Sequence, residues 1–153
     1  MKYKSLFNVL KIPLVFVLIM WIAKLIEWYF GITFFSHGVL PRKFSGLQGI
    51  LFSPFIHQDF THLINNTYPL IILGGMLFYF YKELGLQIFL WLFFIAGIWL
   101  WAIGRPNFHI GASGVVYALA SFIFFSGLIK KQTKLSAASL LVIFLYGSMI
   151  WGI

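Results

Sequence analysis

The amino-acid sequence has no cysteine, which excludes disulfides and thiolate metal ligation and leaves the compartment open. Acidic residues are almost as scarce, three against eleven Lys and Arg. Charged residues total 9%, where a soluble domain carries about 25%. So few charges cannot wet a surface around a composition that is 61% hydrophobic, with a mean hydropathy of +0.97. A soluble globular class is therefore excluded, and lipid is the expected solvent for most of the chain. The net charge of +8 does not point to nucleic acid, because the bases sit in small groups between apolar runs, as they do in cytoplasmic loops of membrane proteins. Internal repeats and low-complexity tracts are also missing.

What remains is long apolar stretches. A hydrocarbon core about 30 Å thick is crossed by about 20 apolar residues in a helix. Five runs meet that length, at 12–32, 62–81, 84–103, 110–129 and 135–153. Only helices satisfy their own backbone in water-free surroundings, so the expected fold is all-α. It is a single polytopic membrane helix bundle over residues 1–153, with five transmembrane helices. The first run follows Lys2, Lys4 and Lys11 as a signal peptide does, but no small-x-small cleavage pattern follows, so an uncleaved first span is expected. Lys24 and Glu27 lie three apart in it and can pair or snorkel to an interface. With the N-terminus inside, Lys2, Lys4, Lys11, Lys82, Lys130, Lys131 and Lys134 are cytoplasmic, and Arg42, Lys43 and Arg105 are outside. Seven bases against three favour that orientation. Segment 33–61 is too long for a hairpin and too apolar for a free loop, and Pro41 and Pro54 break any continuous helix in it. It is expected to lie in the outer membrane interface.

Polar residues inside spans are expensive and mark function by default. His62 and Asn66 are four apart, on one helical face, and both donate hydrogen bonds while neutral, as oxyanion stabilisation requires. Capping or bridging to a neighbouring helix explains the same spacing. Gly111-Ala112-Ser113-Gly114 opens the fourth run. Flanking glycines let other backbones approach the serine, and a helix N-terminus leaves free N–H groups beside it. Taken alone, such a string is equally a helix-packing motif.

Together, the string from Gly111 to Leu119, the His62-x-x-x-Asn66 pattern and Leu73-Gly74-Gly75 resemble the rhomboid family of intramembrane serine proteases. The likeness runs from about Gly46 onward. It implies Ser113 as nucleophile, with His62, Asn66 and the Ser113 backbone N–H as oxyanion hole. Gly111 and Gly114 would support the serine, and Tyr117, one turn on, would pack against the histidine base. His57 matches a further outer-loop histidine with a structural hydrogen-bonding role. The family's loop Trp-Arg pair is not evident. The implied substrates are transmembrane or membrane-adjacent proteins, cleaved without a cofactor or metal. The small size and lack of extra domains suit a bacterial inner membrane.

The family's Ser–His dyad takes its histidine from a sixth core helix, and the present sequence ends at Ile153. Serine is a weak nucleophile until a base takes its proton. His109, four residues before Ser113, is a substitute only if its loop folds back. A zinc site from His57, His62 and His109 has poor spacing, with only Asp59 as a nearby acid. The small residues Gly111, Ser113, Gly114 and Ala118 line a groove suited to another helix. A catalytically inactive rhomboid-like protein that binds transmembrane clients is the alternative. A channel or transporter is disfavoured by the few ionisable residues and the lack of an inverted repeat. The reading frame is expected to continue for roughly 40 residues, a loop plus one histidine-bearing span. Nucleotide sequence downstream of Ile153 tests this, and a stop codon there with no such span in any frame would contradict it.

Overall fold

The computed structural model describes residues 6–151, and the side chains of 7–144. Lys2, Lys4 and Ile153 lie outside the described residues. The helices are α1 (Leu6–Phe30), the single turn α2 (Gly49–Phe52), α3 (Phe60–Tyr81), α4 (Gly85–Ile103), α5 (Ser113–Ile129) and α6 (Thr133–Trp151). Long helices therefore occupy all five apolar runs. Helix α1 begins earlier than its run because Lys11 is accepted within it, and it ends where Gly31 turns with φ +63°. Helix α5 begins three residues later than its run, because Gly111 takes φ +105°, a conformation L side chains resist. Among the described residues, two stretches are long and apolar enough to cross a membrane. One is Phe7–Phe30, and the other is Phe60–Ile103, which comprises α3 and α4 with the turn between them. Ser113–Ile129 is apolar but shorter, and so is Thr133–Phe144, the part of α6 whose side chains are described.

Helix α3 is the central element, packed against α1, α4, α5 and α6. Its Leu63, Leu70, Leu73 and Leu77 are fully buried along one face, with Met20 from α1 and Leu119 and Ile123 from α5. Much of the outer surface is as apolar as the core, including Leu18, Trp91, Trp99 and Phe125. In lipid, moving such side chains inward yields little hydrophobic gain, and close packing at small residues holds helices together instead. The α1–α3 crossing illustrates this. A Cβ on Gly74 would lie 2.7 Å from Pro13 Cγ, and one on Gly75 would lie 3.0 Å from Leu10 Cδ2. At the α5–α6 turn, Gly127 admits Ser136, whose Oγ donates to the Phe124 carbonyl at 3.0 Å. Tyr81 and Ser126 are joined through their hydroxyls, and Lys130 Nζ lies 4.1 Å from the centre of the Tyr81 ring.

The segment before α3 is folded into short helical turns, with no long helix across Pro41 or Pro54. It is stitched by backbone bonds to the loop between α4 and α5. Val39 and His109 exchange N–H···O bonds of 2.9 and 2.8 Å, and the Gly111 N–H donates to the Ser53 carbonyl at 2.9 Å. Arg42 Nη1 donates to the Gly104 carbonyl, and Trp101 Nε1 donates to the Lys43 carbonyl, both at 2.9 Å. Phe44 stands 88% exposed at this end, the end at which Arg42, Lys43 and Arg105 gather, opposite Lys82 and Lys130.

The Gly74 contact yields a direct test. Gly74→Ala places a methyl against a rigid proline ring, and the overpacking is expected to cost about 1–3 kcal/mol. Denaturant unfolding in detergent, followed by helicity, measures this, and an unchanged midpoint would contradict the close crossing.

Candidate active site

His62 owes its position to the start of α3. Asp59 caps the helix in extended backbone geometry, and its Oδ1 accepts the His62 backbone N–H at 2.7 Å. Asn66, one turn on and fully buried, donates from Nδ2 to the His62 carbonyl at 2.9 Å, which leaves its second N–H for another acceptor. The Asn66 Oδ1 has no partner among the described residues. The expected shared face of His62 and Asn66 is thus real, and it lies under the entrance to α5.

Ser113 is the first residue of α5, so the N–H groups around it lack intrahelical acceptors. Its hydroxyl bonds to no described residue. The contact that brings the two clusters together is made by Gly111. A Cβ there would lie 2.6 Å from His62 Nε2 and 2.7 Å from His62 Cε1, so only a glycine lets the imidazole meet this backbone. Gly111 therefore serves His62 rather than an incoming helix, which corrects its place in the expected groove. Gly114 does face open space, with Ala96 Cβ the nearest neighbour at 3.9 Å from its would-be Cβ. Ser113, Gly114 and Tyr117 line one side of a cavity of about 190 Å³, with Ala96 and Gly97 of α4 opposite.

His109 lines the same cavity, yet it does not bond Ser113. Its backbone is held by Val39, and its Nε2 bonds to the Arg105 carbonyl at 2.9 Å. No described cluster of three His, Asp or Glu residues could hold a metal ion.

His57 carries more than the sequence indicated. It is 1% exposed, meets His62 edge-to-face with ring centres 5.0 Å apart, and accepts the Ala112 N–H on Nε2 at 3.5 Å. Accepting there requires the neutral ring. Burial, followed by the neighbouring His62, pushes its pKa down to about 3 from the ordinary 6.5. A second missed feature is the reach of Lys24. It pairs with Glu27 at 3.1 Å, as the spacing allowed, and also binds the backbone at His57 and Gln58.

With this geometry in place, comparison with known proteins identifies the family. A match to the Rhomboid domain covers residues 45–153. The chain belongs to the rhomboid family. It is 32% identical over 149 residues to uncharacterized proteins of Mycobacterium bovis and Mycobacterium tuberculosis, an alignment covering 91% of this chain and 60% of each relative. An uncharacterized protein of Mycobacterium leprae is 28% identical over 152 residues, covering 92% of this chain and 58% of that protein. The chain thus spans about three-fifths of the length of these relatives. No solved structure matches. Rhomboids are membrane-embedded and are generally serine intramembrane proteases.

His57 gives a pH signature. Its folded pKa lies below its unfolded value, so the unfolded chain takes up the proton first as pH falls. The stability that a neutral His57 permits is full above about 6.5 and is lost toward 3. Between pH 8 and 5 the loss is expected to be about 2 kcal/mol, and His57→Gln should remove it from the pH profile of unfolding. An identical pH slope in the variant would contradict a buried, neutral His57.

Proposed function

We propose that this chain is the core of a rhomboid-type intramembrane serine endopeptidase, with Ser113 as nucleophile. The observation that carries the reading is the closeness of Gly111 to His62. It supports a reading in which the start of α5, and with it the serine, is brought toward His62 and Asn66 on α3. In this reading Ser113 Oγ attacks the scissile carbonyl of a transmembrane or membrane-adjacent protein. The oxyanion that forms is stabilised by His62, the second N–H of Asn66 and the Ser113 backbone N–H. Collapse expels the amine of the C-terminal fragment, and water then hydrolyses the acyl-enzyme. Tyr117 borders the cavity where the base must approach. We assign the proton-taking base to a histidine on a sixth core helix, as in the family, because His109 is engaged elsewhere.

The same proposal takes all five long helices as membrane crossings, with the N-terminus cytoplasmic and Phe44 dipping into the outer interface. A bacterial inner membrane fits the mycobacterial relatives.

A fluorophosphonate probe tests the nucleophile on the whole reading frame in detergent or nanodiscs. Labelling is expected, is abolished by Ser113→Ala, and is slowed about 10²-fold by His62→Ala through loss of one oxyanion donor. Labelling that survives Ser113→Ala, or none in well-folded protein, would contradict the reading. The latter result, joined to Ser113-independent co-purification of membrane clients, is what an inactive client-binding protein predicts.

A further inference from the structure

Lys24 and Glu27 sit inside an apolar helix of span length, where ionisable groups are costly and call for a specific use. Side-chain exposures are 13% and 6%. Lys24 Nζ lies 3.1 Å from Glu27 Oε2, 3.0 Å from the His57 carbonyl and 2.8 Å from the Gln58 carbonyl. An ammonium has three protons, and each has an acceptor here. Glu27 spends its other oxygen on the Phe34 N–H, at 2.6 Å. One ion pair on one turn of α1 therefore holds the chain near both ends of the excursion between α1 and α3. A pair that only neutralised two buried charges would need the first contact alone. The cavity of about 690 Å³ beside the pair, lined also by Thr33, His57 and Gln58, receives no unengaged donor from Lys24, which disfavours an anion site there.

The anchored residue is also the one that reaches the candidate site. His57 gives its carbonyl to Lys24, while its ring takes the Ala112 N–H and abuts His62. Ala112 immediately precedes Ser113. We propose that Lys24 and Glu27 form a positioning latch for the oxyanion side of the site, holding His57 against both His62 and the entrance to α5. This inference rests on Ser113 being the nucleophile, and it adds α1 to the residues that set its reactivity. Lys24 acts through His57 and touches no reacting atom.

The test uses the whole reading frame in detergent, with Lys24→Met, Lys24→Arg and Glu27→Gln, each checked for helicity. Diethyl pyrocarbonate modification, resolved by residue with mass spectrometry, reports the protection of buried His57 against exposed His37. The rate of fluorophosphonate labelling reports Ser113. Lys24→Met is expected to raise relative His57 modification about tenfold and to slow Ser113 labelling by a similar factor, the scale of losing charge-assisted bonds. Lys24→Arg should restore both, and Glu27→Gln should fall between. Should Lys24→Met fail to fold, Glu27→Gln carries the same comparison. His57 protection unchanged in Lys24→Met and Glu27→Gln overturns the latch. So does a reactive His57 with undiminished Ser113 labelling. Absence of Ser113 labelling in every protein, with His57 protection still lost in Lys24→Met, retains the latch as a structural device and overturns the nucleophile its catalytic role requires.

Discussion

The candidate site depends on a contact made possible by a missing side chain. Gly111 turns with a positive φ and brings bare backbone against the imidazole of His62, where a Cβ would lie 2.6 Å from Nε2. Any other residue would meet both a backbone penalty and a collision. The contact joins the loop that leads into α5 to the first turn of α3. Helix α3 can present His62 there because Asp59 caps it, and α5 can start at Ser113 because Gly111 ends the loop.

Around that contact the fold divides its tasks. Small residues bring helices together where lipid offers little hydrophobic drive, as Gly74 does with Pro13 and Gly127 with Ser136. Backbone bonds from the 31–59 segment to the loop before α5 fix that end of the bundle, and the Lys24–Glu27 pair ties that segment to α1. His57 joins the two systems, since its carbonyl belongs to the latch and its ring to the site.

Much of this was legible in the sequence. Composition alone demanded apolar helices, and the five runs became the five long helices, with boundary shifts explained by Gly31 and Gly111. The His62–Asn66 spacing and the glycines around Ser113 named the residues that the fold gathers. Less legible was anything set by tertiary contact. A glycine in a serine string reads equally as a helix-packing residue, and only the structure turns Gly111 toward His62. Spacing revealed that Lys24 could pair with Glu27, but its bonds to the carbonyls of His57 and Gln58 depend on how a distant loop returns. The resemblance gave His57 a hydrogen-bonding role, but its partner was hidden for the same reason, being a backbone amide 55 residues away.

The central claim is that Ser113 attacks with His62 and Asn66 poised for the oxyanion. An experimental structure of the whole reading frame, treated with a phosphonylating inhibitor, tests it most directly. The account predicts phosphorus bonded to Ser113 Oγ, with the phosphonyl oxygen about 2.7–3.1 Å from donors on His62, Asn66 and the Ser113 backbone. An adduct on another residue, or a phosphonyl oxygen directed away from α3, would contradict it.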